Sequence, residues 1–92
     1  MNSSERWIVH VARPAERVVA RAPRPEEQRL RAALRGMEED PFGGDVVRLH
    51  HERAAFRRRI GDWRILFDVD PEQRLVDVRE ILRRTTTTYR HR

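Results

Sequence analysis

The stretch Phe56-Arg57-Arg58-Arg59-Ile60-Gly61-Asp62-Trp63-Arg64-Ile65-Leu66-Phe67 constrains this chain more than any other. Two strand-like runs flank Gly61-Asp62, a dipeptide suited to a two-residue hairpin turn. A reversal there sets Ile60 opposite Trp63, Arg59 opposite Arg64, Arg58 opposite Ile65, Arg57 opposite Leu66 and Phe56 opposite Phe67. Side chains alternate between the faces of a strand. One face then collects Phe56, Ile60, Trp63, Ile65 and Phe67, with Arg58 as its one polar member. The other face carries Arg57, Arg59 and Arg64. Like charges directly across a hairpin are destabilising, so a sheet that keeps this cluster is expected to have a polyanion to receive.

Ninety-two residues are enough for one small domain, spanning 1–92, near the size at which a single core is marginal. Cysteine is absent, which excludes a disulfide framework and a thiolate metal site. No run approaches a membrane span, and the first six residues lack the apolar segment of a secretory signal, so the expectation is a soluble, cytoplasmic chain. The formal charge is +5, and all 20 basic residues are arginine. A GC-rich genome that favours arginine codons is one source of a lysine-free chain, but it does not decide where the arginines sit. A pI near 11.3 points to an anionic partner, nucleic acid first and an acidic protein second. No cofactor is expected, and no metal: adjacent His50 and His51 without a carboxylate pattern do not resemble a zinc motif.

Trp7-Ile8-Val9-His10-Val11 reads as a first strand. Pro14 suits the opening of a helix, and Ala15, Val18, Val19 and Ala22 follow the i, i+3, i+4, i+7 stripe of an amphipathic one. Pro23-Arg24-Pro25 ends it and starts another, whose stripe is Leu30, Ala33, Leu34 and Met37, with Glu26 and Glu27 at the positive end of the helix dipole. Residues 38–45 form a turn region rich in breakers. Val46 to Leu49 reads as a second strand, followed by a charged connection, the arginine-bearing hairpin, a turn at 71–74 and a last strand from Leu75 to Ile81. The alternation of that last strand is clear at Val76 and Val78 and slips before Ile81, the mark of a bulge or a change of face. The expected fold is α+β, a small antiparallel sheet packed against two N-terminal helices in β-α-α-β-β-β order.

These residues carry a resemblance. The Trp7 strand, the paired helices ending near Asp40-Pro41, the Arg57-to-Phe67 segment and the closing Val76-Asp77-Val78 strand running into basic residues and Tyr89 are similar, in order, to the RelE/ParE toxin superfamily, on its RelE side. The resemblance covers nearly the whole chain. It implies the toxin of a type II toxin–antitoxin module, a ribosome-dependent endoribonuclease that cleaves mRNA in the decoding site. There a ribose 2′-oxygen attacks the adjacent phosphorus, leaving a cyclic phosphate and a 5′-hydroxyl. By position, Arg57, Arg59 and Arg64 match the family's sheet-face basic residues, and Tyr89 its C-terminal tyrosine. Arg83 or Arg84 matches the basic residue before that tyrosine. The catalytic candidates are therefore Arg57, Arg59, Arg64, Arg84 and Tyr89, and the substrate-binding candidates Arg58, Arg83 and Arg90. The implied partners are a cognate antitoxin offering an acidic or amphipathic segment, and mRNA in the ribosomal A site. The chain departs from the family in carrying Leu49-His50-His51 where Leu-x-Gly is usual, and a four-threonine run before Tyr89. The glutamate–histidine acid–base pair of some relatives does not align.

Cleavage of this type builds negative charge on the non-bridging phosphate oxygens, which guanidinium groups hold in bidentate fashion. Arginine, with a pKa above about 12, is a poor general base. Arg57, Arg59 and Arg64 are thus expected to act as charge clamps, Tyr89 to stack on a base or sugar or else to donate its hydroxyl proton, and cutting is expected to be slow, driven by alignment of the RNA. Two other readings fit the same residues: a ParE-like inhibitor of DNA gyrase, and an RNA- or ribosome-binding module without chemistry.

Overall fold

The computed structural model describes residues 6–50 and 54–84. Along the chain come β1 (Ile8–Val11), α1 (Arg13–Arg21), α2 (Arg24–Gly36), β2 (Asp45–Arg48), β3 (Phe56–Ile60), β4 (Trp63–Asp70) and β5 (Leu75–Arg83). Both helices carry proline in the first turn, where its missing N–H is not needed. Pro23 also holds Ala22 in extended backbone at ψ 152°, which separates α1 from α2. No helix among the described residues is long and apolar enough to cross a membrane.

The strands form one sheet in the order β1-β5-β4-β3-β2. From β2 to β5 the pairing is antiparallel, as expected. The first strand differs: β1 lies parallel to β5, with Ile8 opposite Leu75 and Val11 opposite Val78, so the sheet is mixed. Four strands follow the helices rather than three. No local signal announces the parallel pair, because the α1–α2 hairpin and the whole antiparallel meander separate its two strands.

The β3–β4 register is the one the Gly61-Asp62 reversal demands, from Ile60 opposite Trp63 to Phe56 opposite Phe67. Gly61 occupies the left-handed region at φ +57°, where only glycine avoids a steric penalty. Across β4 and β5, Leu66 pairs with Glu80 and Phe67 with Val78, which leaves Arg79 as an extra residue. That bulge explains the slipped alternation: Val76 and Val78 face the core before it, Ile81 after it. Asp70 closes the β4–β5 turn by accepting from the N–H groups of Glu72 (3.1 Å) and Gln73 (3.4 Å).

Both helices cover the same face of the sheet. Ala15, Val19, Leu30, Ala33, Leu34 and Met37 pack on Trp63, Ile65, Phe67, Val76, Val78 and Ile81. Phe56 joins the edge of this core, stacked on Phe67 at 5.6 Å and met edge-on by Phe42 at 5.0 Å. Among the described residues the opposite face of the sheet bears no helix, and Arg57, Arg59 and Arg64 point there.

Phe67 is fully buried, so Phe67→Ala is expected to lower stability by about 3–5 kcal/mol in urea unfolding. Gly61→Ala is expected to lose about 1 kcal/mol, from backbone strain at positive φ. The atom nearest an added Cβ, at 2.8 Å, is the far end of the flexible Arg29 side chain, which can yield.

Candidate nucleic-acid interface

Two rows of side chains cross the open face in register. One runs Asp45–Arg59–Arg64–Leu82 and the other Val47–Arg57–Leu66–Glu80. Neighbouring strands lie about 4.8 Å apart, which makes Arg59 and Arg64 direct cross-strand neighbours with Arg57 in the adjacent row. Leu66 is buried although it belongs to this face. It sits between Arg57 and Glu80, long side chains whose stems can cover an apolar neighbour.

Arg64 is half-buried, and its Nη1 donates to the carbonyl oxygens of Gly61 (2.9 Å) and Trp63 (3.0 Å), which draws the guanidinium back onto the hairpin turn. Its pKa is lowered from the ordinary arginine value by partial burial first, then by repulsion from Arg84, Arg59 and Arg57, with Asp62 acting in the opposite sense. Register places Arg57, Arg59 and Arg64 together on the open face. Arg84 enters this cluster from the end of β5, where its backbone N–H donates to the Asp62 carbonyl at 2.7 Å. With its ordinary pKa above about 12, arginine remains charged at neutral pH despite such a shift.

Arg59 is held differently. Its Nε lies 2.9 Å from Oδ2 of Asp45, an exposed residue directly opposite on β2. Asp45, Val47, Arg57 and Arg59 together line an open cleft of about 240 Å³. Sequence reasoning placed Asp45 in a turn and so missed this counter-charge. Its register against Arg59 depends on how β2 docks on β3, and no local pattern encodes that.

The remaining candidates fall elsewhere. Arg58 faces the core side, opposite Ile65, and reaches the sheet edge beneath Gly44, where an added Cβ would stand 2.9 Å from its Nε. Arg83 also turns to the helical side, with its guanidinium 5.2 Å above the Trp63 ring and donating to Oε2 of Glu26 at 3.3 Å. Neither shares the surface of the cluster. Tyr89 and Arg90 lie outside the described residues. The far end of the open face is acidic. Asp68 and Asp77 are cross-strand partners, and the bulge residue Arg79 bridges them at 3.1 and 3.7 Å. His10 of β1 adds a contact to Asp77 at 3.2 Å.

Solved structures share this architecture. The archaeal RelE–RelB complex from Pyrococcus horikoshii OT3 superposes with a TM-score of 0.76 at 18% identity, over 87% of this chain and 97% of that one. The fold is RelE-like. The toxin–antitoxin complex RelBE2 from Mycobacterium tuberculosis gives 0.74 at 20% identity, over 86% of this chain and 99% of that one. An arginine-substituted mutant of the E. coli toxin RelE in the free state gives 0.65 at 13% identity, over 90% and 87%. No family model and no curated protein matches the sequence. On this RelE-like sheet the positive charge gathers at the hairpin end of the open face, and the carboxylates of Asp68 and Asp77 gather at the opposite end.

Removing the internal counter-anion of Arg59 should separate folding from ligand binding. Asp45→Asn is expected to change stability by less than about 1 kcal/mol, since both partners are exposed. Its affinity for a single-stranded oligonucleotide is expected to rise, with the log–log salt slope steeper by up to about one. Fluorescence anisotropy across a salt series reads both quantities, and an unchanged slope would mean that Arg59 meets no phosphate.

Proposed function

We propose that this chain is the toxin of a type II toxin–antitoxin pair and acts as a ribosome-dependent endoribonuclease on mRNA in the decoding site. The observation that carries the reading is the convergence of Arg57, Arg59, Arg64 and Arg84 on the open face of a RelE-like sheet. Grouped guanidinium groups of this kind form a site for a phosphodiester. Arg64 is held by the carbonyls of the hairpin turn and Arg59 by Asp45, so these two need little reorganisation as charge develops in the transition state.

In the proposed reaction the ribose 2′-oxygen attacks the neighbouring phosphorus in line with the departing 5′-oxygen. Charge grows on the non-bridging oxygens, and the forks of Arg57 and Arg64 receive it. The carbonyl bonds that tie Arg64 to the turn fix the direction of its guanidinium before substrate arrives. Proton transfer is not a task for arginine, and the chain has no lysine. The rate then comes mainly from alignment of the RNA between this face and the ribosome, so turnover is slow. Tyr89 and Arg90 are assigned to stacking and to substrate binding in the same proposal, on the strength of the resemblance.

The partner in this reading is an antitoxin, which neutralises the cationic face with an acidic or amphipathic segment. The P. horikoshii structure is a RelE–RelB complex and the M. tuberculosis structure a toxin–antitoxin complex. The proposed location is the cytoplasm, where ribosomes are found.

Mapping of 5′-hydroxyl ends on mRNA in a purified translation reaction tests the proposal. Wild-type protein is expected to produce cuts that require translating ribosomes. The Arg57→Gln/Arg64→Gln double variant should reduce them by at least about a hundredfold while keeping its melting temperature. Undiminished cutting by that variant would remove these arginines from the site. Inhibition of gyrase supercoiling without any RNA cleavage would assign the chain to ParE-type activity instead.

A further inference from the structure

A second concentration of positive charge lies on the side of the molecule opposite the open face, on α1. Arg13, Arg17 and Arg21 recur at i, i+4 and i+8 and are all exposed. At 100° per residue, Arg17 stands about half a turn from the buried Ala15 and Val19, so the row runs along the outer face for about 12 Å. Arg24 continues the exposed positive charge across the start of α2.

Three features distinguish this row from an ordinary solvated helix face. First, the carboxylates of the two helices are all directed elsewhere: Glu16 and Glu27 both bind Arg31 at 3.0 Å, and Glu26 binds Arg83 at 3.3 Å. Second, the row works against its own helix. Like charges at i, i+4 each cost about 0.2–0.5 kcal/mol, and Arg13 stands at the positive end of the dipole, in a helix of nine residues. Third, neither helix carries an exposed large apolar residue; those of the described chain are Ile8, Phe42, Val47 and Leu82. A protein partner would need such an anchor, whereas a phosphate backbone needs only the charge. The straight, regular row also suits a rigid strand of evenly spaced phosphates.

We propose that the outer face of α1 is a second nucleic-acid surface, which seats the phosphate backbone of double-helical RNA through Arg13, Arg17 and Arg21. The protein then stands between two RNAs, a folded one behind the helices and a single strand on the open face of the sheet. This inference does not depend on whether the open face cuts RNA.

The test is anisotropy of a short labelled RNA duplex titrated with the full chain over a range of salt. Arg13→Gln/Arg17→Gln/Arg21→Gln is expected to bind at least about tenfold more weakly and to flatten the log–log slope by about 2 to 3. The lysine triple variant at the same positions keeps the charge and should retain the wild-type slope. Glutamine has a helix propensity close to that of arginine, so the melting temperature should stay equal or rise as the like-charge pairs vanish. An unchanged slope in the glutamine variant overturns the proposal. So does loss of all duplex binding in Arg57→Gln/Arg64→Gln, or binding of polyglutamate as tight as that of the duplex, which would indicate an acidic protein on this face.

Discussion

The tight reversal at Gly61, with its positive φ, is the constraint on which the rest of the structure depends. It pins β3 to β4 in a single register, and register decides which side chains meet the core. A slip of one residue would carry Trp63, Ile65 and Phe67 out to solvent and press the arginines onto the helices. Phe67 and Ile65 are fully buried against Leu30 and Met37, so such a slip would forfeit most of the core. The apolar face and the cationic face are therefore one decision. Burial of the first enforces exposure of the second.

A sheet face crowded with guanidinium groups needs relief from its own repulsion, and the structure supplies it in three ways. Arg64 is bonded to the carbonyl oxygens of the turn. Arg59 meets Asp45 from the edge strand. Asp62, inside the turn itself, acts against the repulsion felt at Arg64. The first two hold a group in place while leaving the cluster positively charged, since a backbone carbonyl brings no net charge and Asp45 sets one carboxylate against several guanidinium groups. The acidic end is managed in the mirror sense, where bulge residue Arg79 spans the facing carboxylates of Asp68 and Asp77. The bulge thus both returns Ile81 to the core and delivers a cation where two acids meet.

The same bulge bears on the end of β5. It shifts the alternation so that Arg83 turns to Trp63 and Glu26 on the helical side, while Arg84 acts on Arg64. Adjacent residues of like type thus serve different faces. With α1 carrying its own row of arginines, charge on this chain is distributed to both sides of the sheet rather than spread evenly, an arrangement suited to contact with extended polyanions.

The sequence alone determined the elements whose physics is local. Proline placement and apolar stripes marked both helices. The Gly-Asp dipeptide set the hairpin register residue by residue, and the broken alternation before Ile81 announced the bulge. Hence Arg57, Arg59 and Arg64 could be placed on one face in advance. What lay beyond the sequence were relations between segments distant along the chain: the parallel seat of β1 beside β5, the pairing of Asp45 with Arg59, and the choice of Arg84 over Arg83 for the cluster. These depend on how separate elements dock, and docking follows the fit of a whole buried surface rather than any periodicity within one segment.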